Sequence, residues 1–168
     1  MITIRIVALT LLAFGWNLGF IHAEENESPR LAELDAYWKE VSRTVQEGDF
    51  EGYRATCHPE AVLVSGKSKK SYPLSQALAR WKAEFDATKA GTMKASVAFR
   101  FSQRFGDATT AHETGIFRYA AQKEGEEENV EYINLVALLI KGSEGWKILM
   151  EHQASPATKE EWEALAKD

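Results

Sequence analysis

The sequence predicts an α+β domain in which N-terminal helices pack on a strongly curved antiparallel sheet and form a cone-shaped roll. Apolar residues recur every three or four positions through most of residues 31–85, which is the spacing of amphipathic helices. From Met93 onward the apolar spacing changes to two, which is typical of half-buried strands. Long strands twist and curl, so helices on the concave side are expected to leave a pocket at the wide end of the cone.

Residues 1–23 have the organisation of a cleavable signal peptide. Arg5 supplies a positive charge, residues 6–18 are mostly apolar, and Ala23 ends the segment with a small side chain. The apolar core is shorter than the roughly 20 residues that a membrane-spanning helix needs. We therefore expect export to the periplasm or outside the cell, a single domain over residues 24–168, and no membrane attachment after cleavage.

The composition excludes several classes of function. Acidic side chains outnumber basic ones 25 to 20, so the surface repels phosphates and nucleic acid is not an expected partner. The only cysteine is Cys57, which cannot form an intramolecular disulfide and is expected to be half-buried and structural. The histidines are isolated from one another and no phosphate-binding glycine loop is present, so we expect neither a metal nor a cofactor.

Three helices are predicted before the main sheet. They cover residues 29–47, 49–57 and 73–90. Ser28 and Pro29 suit the start of the first helix, and Asp49 suits the cap of the second. Aromatic residues at helical spacing, namely Trp38, Tyr53, Trp81 and Phe85, form either an aromatic ligand cage or, as such spacing favours, plain core.

The strands are predicted at residues 61–65, 93–105, 109–120, 130–140 and 146–154, with a short tail helix through Trp162 and Leu165. A tight turn at Gly106 and Asp107 would pair Phe105 with Ala108. That register places opposite one another Phe101 and His112, Phe99 and Thr114, Val97 and Ile116, and, on the other face, Arg100 and Glu113 as a surface ion pair. His112 would then point into the pocket, with Arg118 near its end, although a one-residue bulge would exchange the two faces.

The last strand leaves two alternatives for the pocket. One face carries Trp146, Ile148, Met150 and His152, and the other carries Leu149, Glu151 and Gln153. Either His152 or the pair of Glu151 and Gln153 therefore lies inside. A neutral histidine, or a carboxyl group whose pKa is raised by apolar surroundings, is suited to proton transfer.

Several segments resemble the nuclear transport factor 2-like superfamily, most closely its SnoaL-like and ketosteroid-isomerase-like bacterial branch. They are Asp49 and Phe50, residues 58–63, residues 105–107, and the ending 145–153 with its Trp-x-Ile-x-x-x-His pattern. The resemblance implies a cone-shaped pocket and a homodimer formed through the open sheet face. It also implies a group that includes isomerases, dehydratases, cyclases and non-catalytic domains.

Enzymes of this group often carry a tyrosine, an aspartate and a histidine in the pocket. Asp35 and Tyr37 occupy positions that we predict to be exposed, so catalysis stays open. The sequence favours an exported domain that binds a small apolar ligand. The alternatives are a cofactor-independent isomerase, dehydratase or lyase, and a non-catalytic assembly module. The candidate catalytic residues are His112 and His152, and the candidate ligand-binding residues are Tyr132, Arg118, Glu151, Gln153, Phe99 and Phe101.

Overall fold

The computed structural model describes residues 21–165, with side chains from Pro29 onward. The helices are α1 (Ile21–Glu47), α2 (Phe50–Ala55), α3 (Leu74–Lys89) and α4 (Lys159–Ala164). The strands are β1 (Cys57–Ser65), β2 (Lys70–Pro73), β3 (Met93–Gly106), β4 (Thr110–Lys123), β5 (Asn129–Gly142) and β6 (Gly145–Pro156).

The predicted α+β roll is confirmed. Within the described residues the strands form a six-stranded sheet in the order β2-β1-β6-β5-β4-β3. Four neighbouring pairs are antiparallel, whereas β1 runs parallel to β6. Helices α1 to α3 pack on the concave face, where the hydrophobic core includes Leu34, Leu63, Leu74, Leu135 and Leu139.

The first helix begins earlier than predicted. It starts at Ile21 and continues across Pro29, which removes one backbone donor without ending the helix. The cap predicted at Ser28 is therefore wrong, because that residue lies within the helix. The predicted signal peptide falls largely on residues 1–20, which lie outside the described residues. No helix in the described part of the chain is long and apolar enough to cross a membrane.

The hairpin between β3 and β4 has a longer turn than the sequence predicted. The Asp107 carboxylate accepts hydrogen bonds from the backbone amides of Thr109 and Thr110, each at 2.8 Å. These bonds stabilise an extended turn, and strand pairing therefore begins at Gly106 and Ala111.

A bulge at Ser102 then exchanges the faces of β3. The observed pairs are Phe101 with Gly115, Phe99 with Phe117, Val97 with Tyr119, and Arg100 with Ile116. The predicted pairing of Phe101 with His112 is wrong, as is the surface ion pair of Arg100 with Glu113. A Cβ atom at Gly115 would lie 2.1 Å from the Arg100 carbonyl oxygen, so the close approach of the two strands requires glycine here.

The tail helix α4 covers part of the convex face. Trp162 is buried there, with the Arg100 guanidinium 4.3 Å from its ring centroid and the Tyr132 ring 6.0 Å away. Arg100 also donates a hydrogen bond of 2.6 Å to the Trp162 carbonyl oxygen. The predicted tail helix is confirmed, and its partner explains why Arg100 is buried rather than at the surface.

Candidate functional site

A cavity of about 320 Å³ lies between helices α1 to α3 and the concave face of the sheet. Aromatic and aliphatic side chains form most of its wall, together with the polar groups of Thr56, Cys57, Glu84, Thr88, Glu131, Glu151 and Gln153. The aromatic members are Tyr37, Trp38, Tyr53, Trp81, Phe85, Phe99, Phe117 and Tyr119. All four aromatic residues weighed as core or ligand cage in the sequence therefore line the cavity.

A bulge in β6 decides which of its side chains face the cavity. Leu138 pairs with Met150, and the next residue of β5, Leu139, pairs with Ile148, so Leu149 is an extra residue. The side-chain alternation changes phase at this point. Ile148 and Glu151 consequently both line the cavity. A regular strand would have placed them on opposite faces, which is how the sequence analysis divided them.

Glu151 supplies a buried carboxyl group to the cavity wall. Its Oε1 accepts a hydrogen bond of 2.6 Å from the Gln153 amide. Among the described residues, Oε2 has no hydrogen-bond partner. Burial raises the pKa of this carboxyl group, and the Gln153 hydrogen bond offsets only part of that effect. Glu151 is thus suited either to hold a proton or to pair with a ligand.

Weak acids surround Glu151 on the neighbouring elements. Tyr37 on α1 donates a hydrogen bond of 3.2 Å to the Thr56 carbonyl oxygen. Burial raises the pKa of Tyr37 and that of Tyr53 well above the ordinary value, and the Glu151 charge adds to both shifts. Burial also raises the pKa of the Cys57 thiol to about 12. These groups therefore remain protonated at neutral pH, and Cys57 is not an activated nucleophile.

Two further carboxyl groups mark the mouth of the cavity. Glu84 on α3 and Glu131 on β5 line it and are exposed. Tyr119 on β4 lies beside both, because it pairs with Glu131 in the sheet and its hydroxyl group is 3.2 Å from Glu84 Oε2. Burial raises the Tyr119 pKa, and the two carboxylates add to that effect. The mouth therefore carries negative charge.

A buried charged cluster lies behind the aromatic wall. Trp38 lines the cavity with its ring and donates its indole N–H to Glu113. Glu113 also accepts a 2.6 Å hydrogen bond from Arg104, which pairs in turn with the exposed carboxylate of Asp35. This arrangement fixes the orientation of the Trp38 ring.

Three of the candidate residues predicted from sequence line the cavity: Phe99, Glu151 and Gln153. Phe101 lies on the same side of the sheet but behind the wall, with its ring centroid 5.4 Å from that of Trp38.

The other four candidate residues do not line the cavity. His112 and His152 alternate with inward-facing neighbours and lie on the convex face. Tyr132 lies there against Trp162, and Arg118 forms an ion pair of 3.3 Å with Glu128. No histidine between Pro29 and Leu165, where side chains are described, lines the cavity.

Tyr37 is the main cavity residue that the sequence analysis placed incorrectly. It is buried, although we predicted an exposed position. A signal was available, because Tyr37 lies three residues after Leu34 and four before Val41, on the same helical stripe. Asp35, in contrast, is exposed as predicted.

The described residues contain no group of three or more His, Cys, Asp and Glu side chains arranged to hold a metal ion. The polar groups of the cavity wall are carboxyl, amide, phenol, hydroxyl and thiol groups. Glu151 combines burial with a carboxylate oxygen that has no hydrogen-bond partner among the described residues.

A family model described as a SnoaL-like domain matches residues 34–158, which include every element from most of α1 to the end of β6. The chain belongs to the SnoaL-like domain family. No curated protein sequence matches this SnoaL-like domain.

Solved structures share the fold at low sequence identity. A conserved protein from Planctomyces limnophilus DSM 3776 has a TM-score of 0.65 and 8% identity, with 78% of this chain and 100% of that chain covered. An NTF-2 like protein of unknown function from Shewanella oneidensis MR-1 has a TM-score of 0.55 and 16% identity, with coverage of 73% and 96%.

A third similar structure belongs to an enzyme complex. The beta subunit of the benzoate 1,2-dioxygenase from Burkholderia mallei ATCC 23344 has a TM-score of 0.61 and 14% identity, covering 73% of this chain and 87% of that one. At such identities the three structures establish the NTF2-like fold of the SnoaL-like domain and nothing about its ligand.

Proposed function

We propose that the chain is a small-molecule-binding domain whose ligand is largely apolar and carries one or two polar groups. The supporting observation is the cavity of about 320 Å³, whose wall is mostly aromatic and aliphatic and includes the buried carboxyl group of Glu151. Cavities of roughly 300 to 1,000 Å³ with few polar groups are typical of ligand sites. A pure assembly module is less favoured, because Trp and Leu side chains do not fill this space.

The test compares two identical substitutions on opposite faces of β3. Ala95 lines the cavity, whereas Ala98 is exposed on the other face. Ala95→Phe should occupy part of the cavity and weaken the binding of neutral aromatic hydrocarbons and ketones. Binding is followed by intrinsic tryptophan fluorescence, to which the lining residues Trp38 and Trp81 contribute. Ala98→Phe should leave binding unchanged. If the parent protein binds neither these neutral compounds nor a cationic aromatic probe of the same size, the proposed function is wrong.

A proton-transfer activity is the second candidate, and the buried carboxyl group of Glu151 favours it. A carboxyl group with a raised pKa can accept a proton from carbon and return it near neutral pH, as a cofactor-independent isomerase, dehydratase or lyase requires. The histidines that were predicted for this role lie on the convex face, so Glu151 is the remaining candidate.

A bound ketone should exchange its α-hydrogen in heavy water faster than the free ketone, and Glu151→Gln should abolish the difference. Equal rates for bound and free ketone would contradict this activity.

We also propose that the chain is exported. The support is the charged, apolar and small-residue order of residues 1–23 in the sequence. N-terminal sequencing of protein from the exported fraction should begin at Glu24. A mature chain that still carries Met1 would contradict the proposal.

A further inference from the structure

The ionisable groups of the cavity wall are all acids, which are either neutral or negatively charged. Three are carboxyl groups, those of Glu84, Glu131 and Glu151, and the others are phenols and a thiol. Among the side chains that the structure describes, from Pro29 to Leu165, no lysine, arginine or histidine lines the cavity. Two basic residues next to lining residues in the chain pair with other carboxylates: Arg118 with Glu128 at 3.3 Å, and Lys147 with Glu144 at 2.6 Å. An anionic ligand would therefore be repelled by the carboxylates and would find no counter-charge.

Aromatic rings enclose the same space at varied angles. The Tyr53 and Trp81 rings are nearly perpendicular, at 83° and 6.2 Å between centroids, and the Tyr37 and Trp38 rings stand at 80° and 5.0 Å. Different ring faces and edges are thus presented to one cavity. Ring faces attract cations, and the attraction is stronger where water is excluded.

Glu151 provides the counter-charge at the interior of this aromatic enclosure. It is buried, and its Oε2 atom has no hydrogen-bond partner among the residues from Ile21 to Leu165. A cation beside Oε2 would gain both the carboxylate and the ring faces. The exposed carboxylates of Glu84 and Glu131 would attract the same ligand to the mouth.

We infer that the cavity selects a hydrophobic cation, such as a substituted ammonium ion with an aryl or alkyl group, over neutral and anionic molecules of the same shape. This inference rests on the proposed binding function and specifies its ligand class. The ammonium group pairs with Glu151 inside the cavity, and the apolar group packs against the aromatic wall.

Three probes of similar size separate charge from shape. They are benzyltrimethylammonium, its uncharged isostere neopentylbenzene, and the anion 3-phenylpropanoate. By calorimetry at neutral pH the cation should bind about tenfold or more tightly than the isostere, and the anion more weakly than either. If the isostere binds and the cation binds no better, the inference is wrong while the binding function stands. If none of the three binds, the inference is wrong, and the proposed binding function is wrong as well when the neutral hydrocarbons and ketones also fail to bind.

The pH dependence supplies a test that needs no variant. Benzyltrimethylammonium does not titrate, so any change must come from the protein. Among the groups that face Glu151, Tyr37, Tyr53 and Cys57 have raised pKa values and stay protonated, while Gln153 does not ionise. Affinity for the cation should rise as the pH increases above 4.5, the ordinary value for a glutamate, with release of a proton on binding. A flat profile would overturn the role of Glu151.

Glu151→Gln keeps the shape of the side chain and removes its charge. It should lower affinity for the cation about tenfold, remove the pH dependence and leave the neutral isostere unaffected. This substitution also distinguishes an effect of the Glu151 charge from an effect of His152, which is adjacent in the chain but lies on the opposite face. Glu127→Gln removes the same charge from an exposed loop position and should change none of these quantities. Equal cation affinity in the parent and Glu151→Gln would overturn the inference.

Discussion

Trp38 donates its indole N–H to the carboxylate of Glu113, which lies 75 residues further along the chain. Both side chains are buried, and the bond joins α1 to β4. The same carboxylate accepts a hydrogen bond from Arg104 on β3. Three elements that are distant in sequence are thus held by one acidic group directly behind the cavity wall.

Glu113→Gln should be strongly destabilising, because it leaves the largely buried guanidinium of Arg104 without its buried negative partner. Removing one member of such a pair costs about 3 to 5 kcal/mol, whereas an exposed ion pair contributes about 0 to 1 kcal/mol. Asp35→Asn, which removes the exposed partner of the same Arg104, is the matched control. Urea unfolding measures the free energy of unfolding of both variants. An equal decrease in the two would show that the buried bond has no special role.

His112→Ala and His152→Ala should leave ligand affinity within about twofold of the parent, because neither side chain lines the cavity and both lie on the opposite face of the sheet. Phe99→Ala, which opens the cavity wall, should weaken binding under the same conditions. Fluorescence titration with the neutral probe provides the comparison. A large loss of affinity in either histidine variant would contradict the orientation of β4 or β6 described above.

The free energy of unfolding of Glu151→Gln should increase relative to that of the parent as the pH rises. Burial raises the folded-state pKa of Glu151 above its ordinary value of 4.5, so the contribution of the neutral carboxyl group is fully present below that value. It is lost as the pH rises through the folded pKa, at up to about 1.4 kcal/mol per pH unit. Urea unfolding at several pH values should show the gap widening. A constant gap, or the same change in Glu127→Gln, would contradict the assignment.

We propose that the chain forms a homodimer through the part of the convex face that α4 leaves uncovered. Leu138 lies there with 37% of its surface exposed, as one of two large exposed hydrophobic residues among those described. Sedimentation at micromolar concentration should give about twice the monomer mass. Leu138→Asp should shift the equilibrium to monomer, while Ala83→Asp on the exposed side of α3 should not. A monomeric parent protein would mean that α4 alone covers enough of this face.

Local patterns in the sequence predict most of the elements but not the detailed pairing of the sheet. The helical stripe from Leu34 to Val45 and the alternation after Met93 each depend on neighbours within a few residues. Both predictions are confirmed. The short strand β2 was missed, because its exposed residues carry no apolar pattern.

The errors at the candidate site have a shared physical cause. The sequence analysis assigned faces by strict alternation of side chains along each strand. An extra residue at Ser102 or Leu149 reverses every assignment beyond it. Bulges depend on contacts with a partner strand that local sequence does not specify. The carboxyl group of Glu151 could therefore be predicted only as one of two alternatives. The buried network around Glu113 was missed because Trp38 and Arg104 meet it only in the folded chain.

The extra residue in β6 also bears on how the chemistry of this fold can diverge. Were the strand regular from Trp146 onward, Met150 and His152 would face the cavity and Glu151 would face away. The same side chains would then present an imidazole where a carboxyl group now stands. A change in strand length, made by gaining or losing one codon, can thus exchange the titrating group of the cavity without any substitution. Insertions and deletions in the last strand are as relevant as point mutations when the histories of such domains are compared.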